Sequence, residues 1–549
     1  MDGLNSRAAF QAVPVALATL LDETALRFAD RPAIDFLGRG QSWGEIGALA
    51  DRAAAGLQKI GVVKGTKVGI CLPNTPYSVI MFFAILKAGG IVVNFNPLYT
   101  ERELAAQVRD SGTEIMVTLD VALIQDKIAG LVADGLFKRV IVCSMVAALP
   151  PVKGLLLRLF KSKELASVPD GAPYLRFATL IAGAAKPAPV SIDAKQDVAV
   201  LQYTGGTTGI PKGAMLSHAN ITANIQQILT ANPTIGRGSE RIMGILPLFH
   251  VFAMTGVMVA GVAIGAELIL MPRLDIKLLM ASIERKRPSM MPGVPTLYSA
   301  ICNAAGKGMD LSFITFCMSG GAPISVEVAE RFQRLSHCPI LEGYGLSETS
   351  PIVTATPPDR IKPGSVGVAL PGTIVEIRDR EHPETILPQG ARGEICVRGP
   401  QVMQGYYNRP EETAQSFIDG AFRTGDVGYL DEDGYLFIVD RIKDLILCGG
   451  YNVYPRVIEE AAYQHPAVQD AIAIGIPDDY RGQAPKLFVT LRPGAQASEA
   501  QILAFLKDNL NKIEMPKSVE IRSALPKTMV GKLSKKELVE EEASRIKPK

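Results

Sequence analysis

Thr204, Gly205, Gly206, Thr207, Thr208, Gly209 and Lys212 stand together in the run Leu201-Gln-Tyr-Thr-Gly-Gly-Thr-Thr-Gly-Ile-Pro-Lys-Gly-Ala-Met-Leu-Ser-His218. The combination suits an anion. Glycines let backbone N–H groups come close to it, hydroxyls donate further hydrogen bonds and a lysine adds charge. The apolar Val198–Leu201 reads as a buried strand leading in, and a helix start follows His218. Strand, glycine-rich turn and helix is a common way to hold phosphate. A Walker A loop needs Gly-Lys-Ser/Thr in succession. Here Pro211 precedes Lys212, so this is a phosphate loop of another kind.

Other groups capable of chemistry are ordinary when taken singly. His250 sits in the apolar run Leu246-Pro-Leu-Phe-His-Val-Phe252, where a histidine is most often a satisfied core residue. No serine–histidine–acid arrangement is readable around it. Ser319-Gly-Gly-Ala-Pro323 and Leu341-Glu-Gly-Tyr-Gly-Leu-Ser-Glu-Thr-Ser350 each read as a strand end and a tight turn. Asp426 closes Phe422-Arg-Thr-Gly-Asp426, a place where an aspartate usually caps a turn. Asp440-Arg-Ile-Lys-Asp444 has the look of a solvated turn, and Lys532 that of a solvated lysine near a C-terminus.

In this order and at these distances, the segments resemble the signatures of the adenylate-forming enzymes: acyl-CoA synthetases, luciferases and peptide-synthetase adenylation domains. The resemblance runs from about residue 15 to 540 and is strongest to the bacterial long-chain fatty acid–CoA ligases. It implies ATP, Mg²⁺ and coenzyme A as reactants. Thr204 to Gly209 and Lys212 would cradle phosphates. Gly321, Ala322 and Pro323 would border the adenine, with Gly343, Tyr344 and Gly345 beside them. Glu348 would hold Mg²⁺ and Thr349 would contact the α-phosphate. Asp426 would bind the ribose hydroxyls and Arg441 would approach the ribose and phosphates. His250 would line the acyl pocket. Asp440 would be the pivot, Lys443, Gly449 and Gly450 would serve the thioester step, and Lys532 would bridge carboxylate and α-phosphate during adenylation. The expected catalytic set is therefore Lys532, Thr349, Glu348 and Arg441. One departure is Asp419-Gly-Ala-Phe422, where many relatives carry a tryptophan after the glycine; it bears on the pocket mouth, not on the reaction.

The elements that must position these groups read as an α/β fold. Up to about residue 190, helix-like stretches (Ala48–Ile60, Tyr77–Ala88, Glu101–Asp110) alternate with strand-like ones (Lys67–Leu72, Ile91–Val93, Glu114–Leu119). That alternation predicts layered subdomains with a mostly parallel sheet. Frequent turns from Gly364 onward predict a β-rich subdomain, and Asp431-Glu-Asp-Gly434 a hairpin. The expected division is a domain over 1–439 carrying the ATP and acyl sites, a hinge at 440–444, and a small mobile α+β lid over 445–549. At 549 residues the chain is too long for one core.

Composition excludes several classes. A net charge of +2 with no dense Lys/Arg stripe gives nucleic acid no footprint. The seven cysteines are scattered, with no C-x-x-C pair, which points to reduced thiols in the cytoplasm. Val13–Leu21 lacks the flanks of a signal peptide. Ile242–Ala266 is uncharged and long enough to span a bilayer, but Pro247, His250 and its glycines make a strand, turn and helix the better reading. Pro151–Leu165 mixes leucines and Phe160 with Lys153, Arg158, Lys161 and Lys163. It could lie on an anionic membrane surface; an ordinary amphipathic surface helix is the expectation. Peripheral contact with the inner face of the membrane and a homodimer stay open. The expected function is an ATP-dependent ligase of medium-to-long fatty acids to CoA. The alternatives are an acyl-adenylate former that loads a carrier protein, and a CoA ligase for dicarboxylic or aryl acids. A nucleotide-binding regulator without catalysis is disfavoured because every motif residue needed for adenylation is present.

Overall fold

The computed structural model of the chain describes residues 10–183, 186–204, 211–305, 309–448, 451–478, 481–528 and 533–545. The alternation read in the first 190 residues becomes a seven-stranded sheet. Its order is Tyr174–Arg176, Arg139–Cys143, Ile115–Leu119, Lys67–Ile70, Ile91–Asn94, Val198–Thr204 and Lys212–Ser217. Every pairing is parallel except the last. Its strands are short and apolar because helices cover both faces. Helix Pro76–Lys87 is buried on all sides up to Leu86, which is why it reads as a continuous apolar run rather than an amphipathic one. Ser42 with Glu45, Thr100 with Glu103 and Ser217 with Asn220 form capping boxes that start three other helices.

A nine-stranded sheet follows. Its parallel middle runs Ile340–Gly345, Phe316–Gly320, Met290–Gly293, Arg241–Gly244, Glu267–Leu270 and Pro32–Phe36. Ile352–Ala355 pairs antiparallel with Ile340–Gly345. Ile242–Ala266 is the expected strand, turn and helix, and among the described residues no helix is long and apolar enough to cross a membrane.

The chain divides into two compact units. One runs to Ile361 and takes in Ala369–Ile374 and Arg398–Gln415; the other comprises Lys362–Val368, Val375–Val397 and the residues from Ser416 onward. The second unit holds the β-rich sheet, including Gly393–Arg398, Ala421–Leu430 and Leu436–Arg441. It also holds the sheet of Tyr451–Val453, Ile446–Cys448, Gly482–Leu491, Val468–Asp478 and Ser518–Ile521, packed by Ile458, Ala462, Ile502 and Leu506 of its helices. That last part is the expected α+β module. Asp431–Gly434 makes the expected hairpin between Ala421–Leu430 and Leu436–Arg441. The expected hinge coincides with the end of strand Leu436–Arg441 and the 3₁₀ turn Ile442–Asp444. All seven cysteines are free and buried.

Two expectations need correction. The glycine-rich turn expected to hold phosphate is not followed directly by a helix: Lys212–Ser217 is a strand that folds back on Val198–Thr204. Its glycine and lysine disguise it as loop, while Gly213, Ala214, Leu216 and Ser217 are buried in the sheet. Helix Pro151–Phe160 is also no ordinary amphipathic surface helix, since among its residues only Gly154 is buried.

Candidate active site

Thr204 and Lys212 face each other across the hairpin, and Tyr203 faces Gly213. Residues Gly205, Gly206, Thr207, Thr208 and Gly209 lie outside the described residues. The hairpin base is pinned from behind. Tyr203 donates from its hydroxyl to Asp110 Oδ2 at 2.6 Å, and Arg409 donates to the same carboxylate. Burial pushes the Tyr203 phenol well above its ordinary range, so it stays a donor. A side chain at Gly213 would meet the Tyr203 ring at 3.1 Å, a tight approach that glycine relieves.

Residues 405–407 run beside the returning strand. Met215 donates its N–H to the Gly405 carbonyl at 2.9 Å and Tyr407 donates to Gly213 at 2.8 Å. This places the Tyr406 ring 5.2 Å from Lys212 Nζ. The Tyr406 hydroxyl in turn donates to Glu348 Oε1 at 2.8 Å, and Met403 donates its N–H to the Glu348 carbonyl at 2.8 Å. Lys212, Tyr406 and Glu348, distant in sequence, form one connected set. Tyr406 escaped the sequence reading; Gly405-Tyr-Tyr407 carries an aromatic pair in a polar loop, which by itself signals nothing.

Glu348 stands in a turn that folds sharply back on its strand. A side chain at Gly345 would lie 1.9 Å from the Pro351 carbonyl oxygen, so only glycine permits the fold. Thr349 is fully buried. Its hydroxyl accepts from Leu346 N at 3.0 Å and donates to the carbonyl of Pro351, so it is engaged within its own turn. Ser347, which opens the turn, is half-buried. Gly343 and Tyr344 lie in strand Ile340–Gly345, Gly343 beside Gly320 of the neighbouring strand; Tyr344 is largely buried. Gly321, at φ +85°, and Pro323 are exposed and Ala322 half-buried at the end of that neighbouring strand.

His250 is half-buried and caps the helix beginning at Val251, its Nδ1 accepting from Phe252 N at 3.3 Å. Asn74, from the Pro73–Pro76 turn, clamps the preceding loop. It donates to the carbonyls of Gly244 and Leu246 at 3.0 and 2.8 Å and accepts from Leu248 N at 2.8 Å. Beyond His250 the helix passes through a π segment, Met254–Val259. Phe252, Gly256, Ala260 and Ile264 line one side of a cavity of about 30 Å³; Met318 and Ile352 are on its other walls, and every lining residue is apolar. The Phe252 ring abuts the Gly320 backbone, where a side chain would meet it at 3.2 Å.

The second unit carries the remaining described candidates. Asp426 and Arg441 are opposite in register, with Arg441 Nε 2.9 Å from Asp426 Oδ1. Asp426 is 2% exposed. Thr424 orients this strand by accepting from Asp426 N at 3.1 Å and donating to the Ile395 carbonyl at 2.8 Å. Asp440 is buried and accepts from Arg441 N at 2.8 Å and Arg456 N at 2.9 Å. Burial raises its carboxyl above the usual range, against the opposing pull of Lys535. Lys443 is exposed. Gly449, Gly450 and Lys532 lie outside the described residues.

Among the described residues no group of three or more His, Cys, Asp or Glu gathers as a cage for a metal. Glu348, which accepts from the Tyr406 hydroxyl, is one carboxylate that could hold an ion with fewer protein ligands. This fits Mg²⁺, which is commonly held by one or two carboxylates with phosphates and water completing its shell.

A family model described as AMP-binding enzyme matches residues 21–407, and one for the AMP-binding enzyme C-terminal domain matches residues 457–532. The chain is 41% identical over 531 residues to a long-chain-fatty-acid–CoA ligase of Bacillus subtilis, covering 96% of this chain and 94% of that protein. It is 38% identical over 547 residues to a long-chain-fatty-acid–CoA ligase of Salmonella typhimurium, covering 97% and 95%. Among solved structures, ATP-bound MatB from Rhodopseudomonas palustris superposes with a TM-score of 0.83 at 29% identity, covering 96% of this chain and all of that one. With the Thr204–Lys212 hairpin and the Glu348 turn inside the first matched segment and most of the C-terminal module inside the second, the chain belongs to the AMP-binding enzyme family.

Proposed function

We propose that this protein is an AMP-forming fatty acid–CoA ligase acting on medium-to-long chains. The observation that carries the reading is the position of Phe252. Its ring lines a wholly apolar cavity on one side and abuts the Gly320 backbone, next to the expected adenine border, on the other. An acid seated there would have its hydrocarbon in the cavity and its carboxylate toward the nucleotide. A second carboxylate would find no cation in that lining, which disfavours dicarboxylic substrates. The long-chain activity in the names of the two relatives agrees with this.

In the first half-reaction a carboxylate oxygen attacks the α-phosphorus of ATP and the bond to pyrophosphate breaks, giving an acyl adenylate. Negative charge crowds together in this step, so catalysis lies in placing cations and donors where it develops. Lys212 and the hairpin hold phosphate. The resemblance gives the α-phosphate contact to Thr349; because the Thr349 hydroxyl is engaged within its turn, Ser347 beside it is the second candidate for that contact. By the resemblance, Asp426 would bind the ribose hydroxyls and Arg441 would approach the phosphates. Mg²⁺ bound at Glu348 would neutralise the leaving pyrophosphate. In the second half-reaction the CoA sulfur attacks the acyl carbon, the thiol proton is lost and AMP leaves. By the family resemblance, Lys532 in Pro526-Lys-Thr-Met-Val-Gly-Lys532 would serve the first half-reaction, and Gly449-Gly450 with Lys443 the second, with Asp440 as the pivot between them. ATP and CoA both place the work in the cytoplasm.

The test is AMP formation from a panel of fatty, dicarboxylic and aryl acids, with and without CoA. Rapid AMP release only with CoA and hexadecanoate-like acids is expected; preference for an aryl or dicarboxylic acid, or indifference to CoA, would overturn it. Lys532→Ala should abolish acid-dependent pyrophosphate release yet still convert supplied acyl adenylate and CoA.

A further inference from the structure

Helix Pro151–Phe160 is turned inside out. Val152, Leu155, Leu156, Leu159 and Phe160 are 47–78% exposed. Their spacing is that of one helical face, i, i+3, i+4, i+7 and i+8, and at 100° per residue they cover an arc of roughly 140°. A surface helix normally turns such a stripe toward the core. Here the opposite face is docked. Gly154 is buried so closely that a side chain there would lie 2.7 Å from the Val146 carbonyl oxygen. Lys153 Nζ donates to the Leu37 carbonyl at 2.8 Å, and Arg39 donates to the carbonyls of Ala147 and Leu149. The helix is therefore fixed to the body by its narrow polar side, and the leucines are displayed on a firm base.

The charge around the stripe is one-sided. Residues 151–163 carry Lys153, Arg158, Lys161 and Lys163 and no carboxylate. Lys153 and Arg158 flank the two edges of the arc. Lys161 pairs with Glu164 at 2.8 Å on the exposed surface, an interaction water weakens. An apolar face bordered by cations matches the boundary between acyl chains and anionic headgroups, where long basic side chains reach up to the phosphates. A second copy of the chain fits less well. The helix is only about 15 Å long, so its stripe falls well short of the roughly 800 Å² per partner of a stable interface. Two such stripes would also bring like charges together.

We propose that this helix docks the protein on an anionic lipid bilayer, with the Leu155–Leu159 stripe entering the headgroup boundary. The proposal stands independently of the reaction assigned above, and its test reads binding rather than turnover.

The test is flotation of the full-length protein with vesicles of phosphatidylcholine and phosphatidylglycerol at 7:3, against phosphatidylcholine alone. The protein should float with the anionic vesicles, and less at high salt. Leu155→Gln with Leu159→Gln should lower the partition coefficient by about tenfold or more, since two large apolar side chains leave the interface. Arg158→Gln with Lys163→Gln should remove most of the excess over neutral vesicles and most of the salt dependence. Neither pair should change the melting temperature or activity on a water-soluble short-chain acid. If the leucine pair melts abnormally, the charge pair, which alters exposed side chains only, carries the decision. Equal partition of parent and charge variant, no binding of the parent to either vesicle, or a parent dimer that the leucine pair converts to monomer would each overturn the proposal.

Discussion

The Tyr406 hydroxyl donates to Glu348 Oε1 at 2.8 Å, and the same ring lies 5.2 Å from Lys212 Nζ. A phenol that holds one carboxylate oxygen limits the rotation of the group, which would serve the proposed hold of Glu348 on Mg²⁺. A hydrogen bond to a charged group is worth about 1.5–3 kcal/mol. Tyr406→Phe keeps the ring beside Lys212 and removes only the donor. Acid-dependent pyrophosphate exchange should fall about tenfold or more, and half-maximal rate should need more Mg²⁺, with the melting temperature unmoved. Glu348→Gln should lose the Mg²⁺ response altogether. An unchanged Mg²⁺ profile in Tyr406→Phe would show that the tyrosine orients nothing.

Ser347 and Thr349 should separate in their effects. Thr349 is fully buried and its hydroxyl satisfies Leu346 N and the Pro351 carbonyl. Thr349→Val removes both side-chain bonds while Leu346 N keeps its backbone bond to the Pro351 carbonyl at 3.1 Å, so the loss should be about 0.5–1.5 kcal/mol of stability, which denaturant unfolding should register. Ser347→Ala should leave stability within about 0.5 kcal/mol and instead raise KM for ATP or lower kcat of the adenylation step. The reverse pattern would return the phosphate contact to Thr349.

The difference between these two hydroxyls shows where sequence reading stops. The segment Gly343-Tyr-Gly-Leu-Ser-Glu-Thr349 announces itself as a site, because glycines at a strand end followed by an acid are an uncommon grouping. Which hydroxyl is engaged within the turn depends on how the turn closes against Pro351. Tyr406 was invisible for the same reason: its value lies in two neighbours, Lys212 and Glu348, that only tertiary pairing supplies. Asn74, between two prolines, carries no signal of its own in the sequence, whereas its amide holds the His250 loop through three hydrogen bonds. The alternation that predicted the parallel sheet survives because burial on both faces writes directly into composition. Strand Lys212–Ser217 was missed because a glycine and a lysine open it. The direction of helix Pro151–Phe160 could not be read either: periodicity reports that a helix has an apolar face, not which way the face points.

Gly256 should limit chain length. It lines the apolar cavity between Phe252 and Ala260, and a side chain there would touch the Phe252 ring at 3.5 Å. At about 30 Å³ the cavity would admit a water molecule but not a fatty chain, so occupancy requires the wall to move. The π segment Met254–Val259 that carries Gly256 is the natural part of that wall to yield. Gly256→Leu should lower kcat/KM for hexadecanoate by about 100-fold or more while altering octanoate by about threefold or less, a difference of some 2 kcal/mol in transition-state binding. An equal loss on both acids would place the long chain elsewhere.

His218 should set an acid limit on stability. It is 2% exposed, and its Nδ1 accepts from Leu17 N at 3.1 Å, which requires the neutral ring. Burial is the main cause that pushes its pKa down from 6.5 to about 4; Asp197 opposes the shift and Lys64 adds to it. The folded chain then binds fewer protons than the unfolded chain between those values, so stability rises with pH across the window and falls as pH drops from about 6.5 toward 4. The full cost is of the order of 3 kcal/mol, and about 2 kcal/mol of it should appear by pH 5. His218→Gln removes the titrating group, so unfolding by denaturant at pH 7.5 and pH 5 should show a smaller drop in the variant than in the parent by about that amount. Carboxylates titrate in both proteins and cancel in the comparison. Identical drops would mean that His218 binds protons alike in the folded and unfolded chain, and that its burial does not set the acid limit.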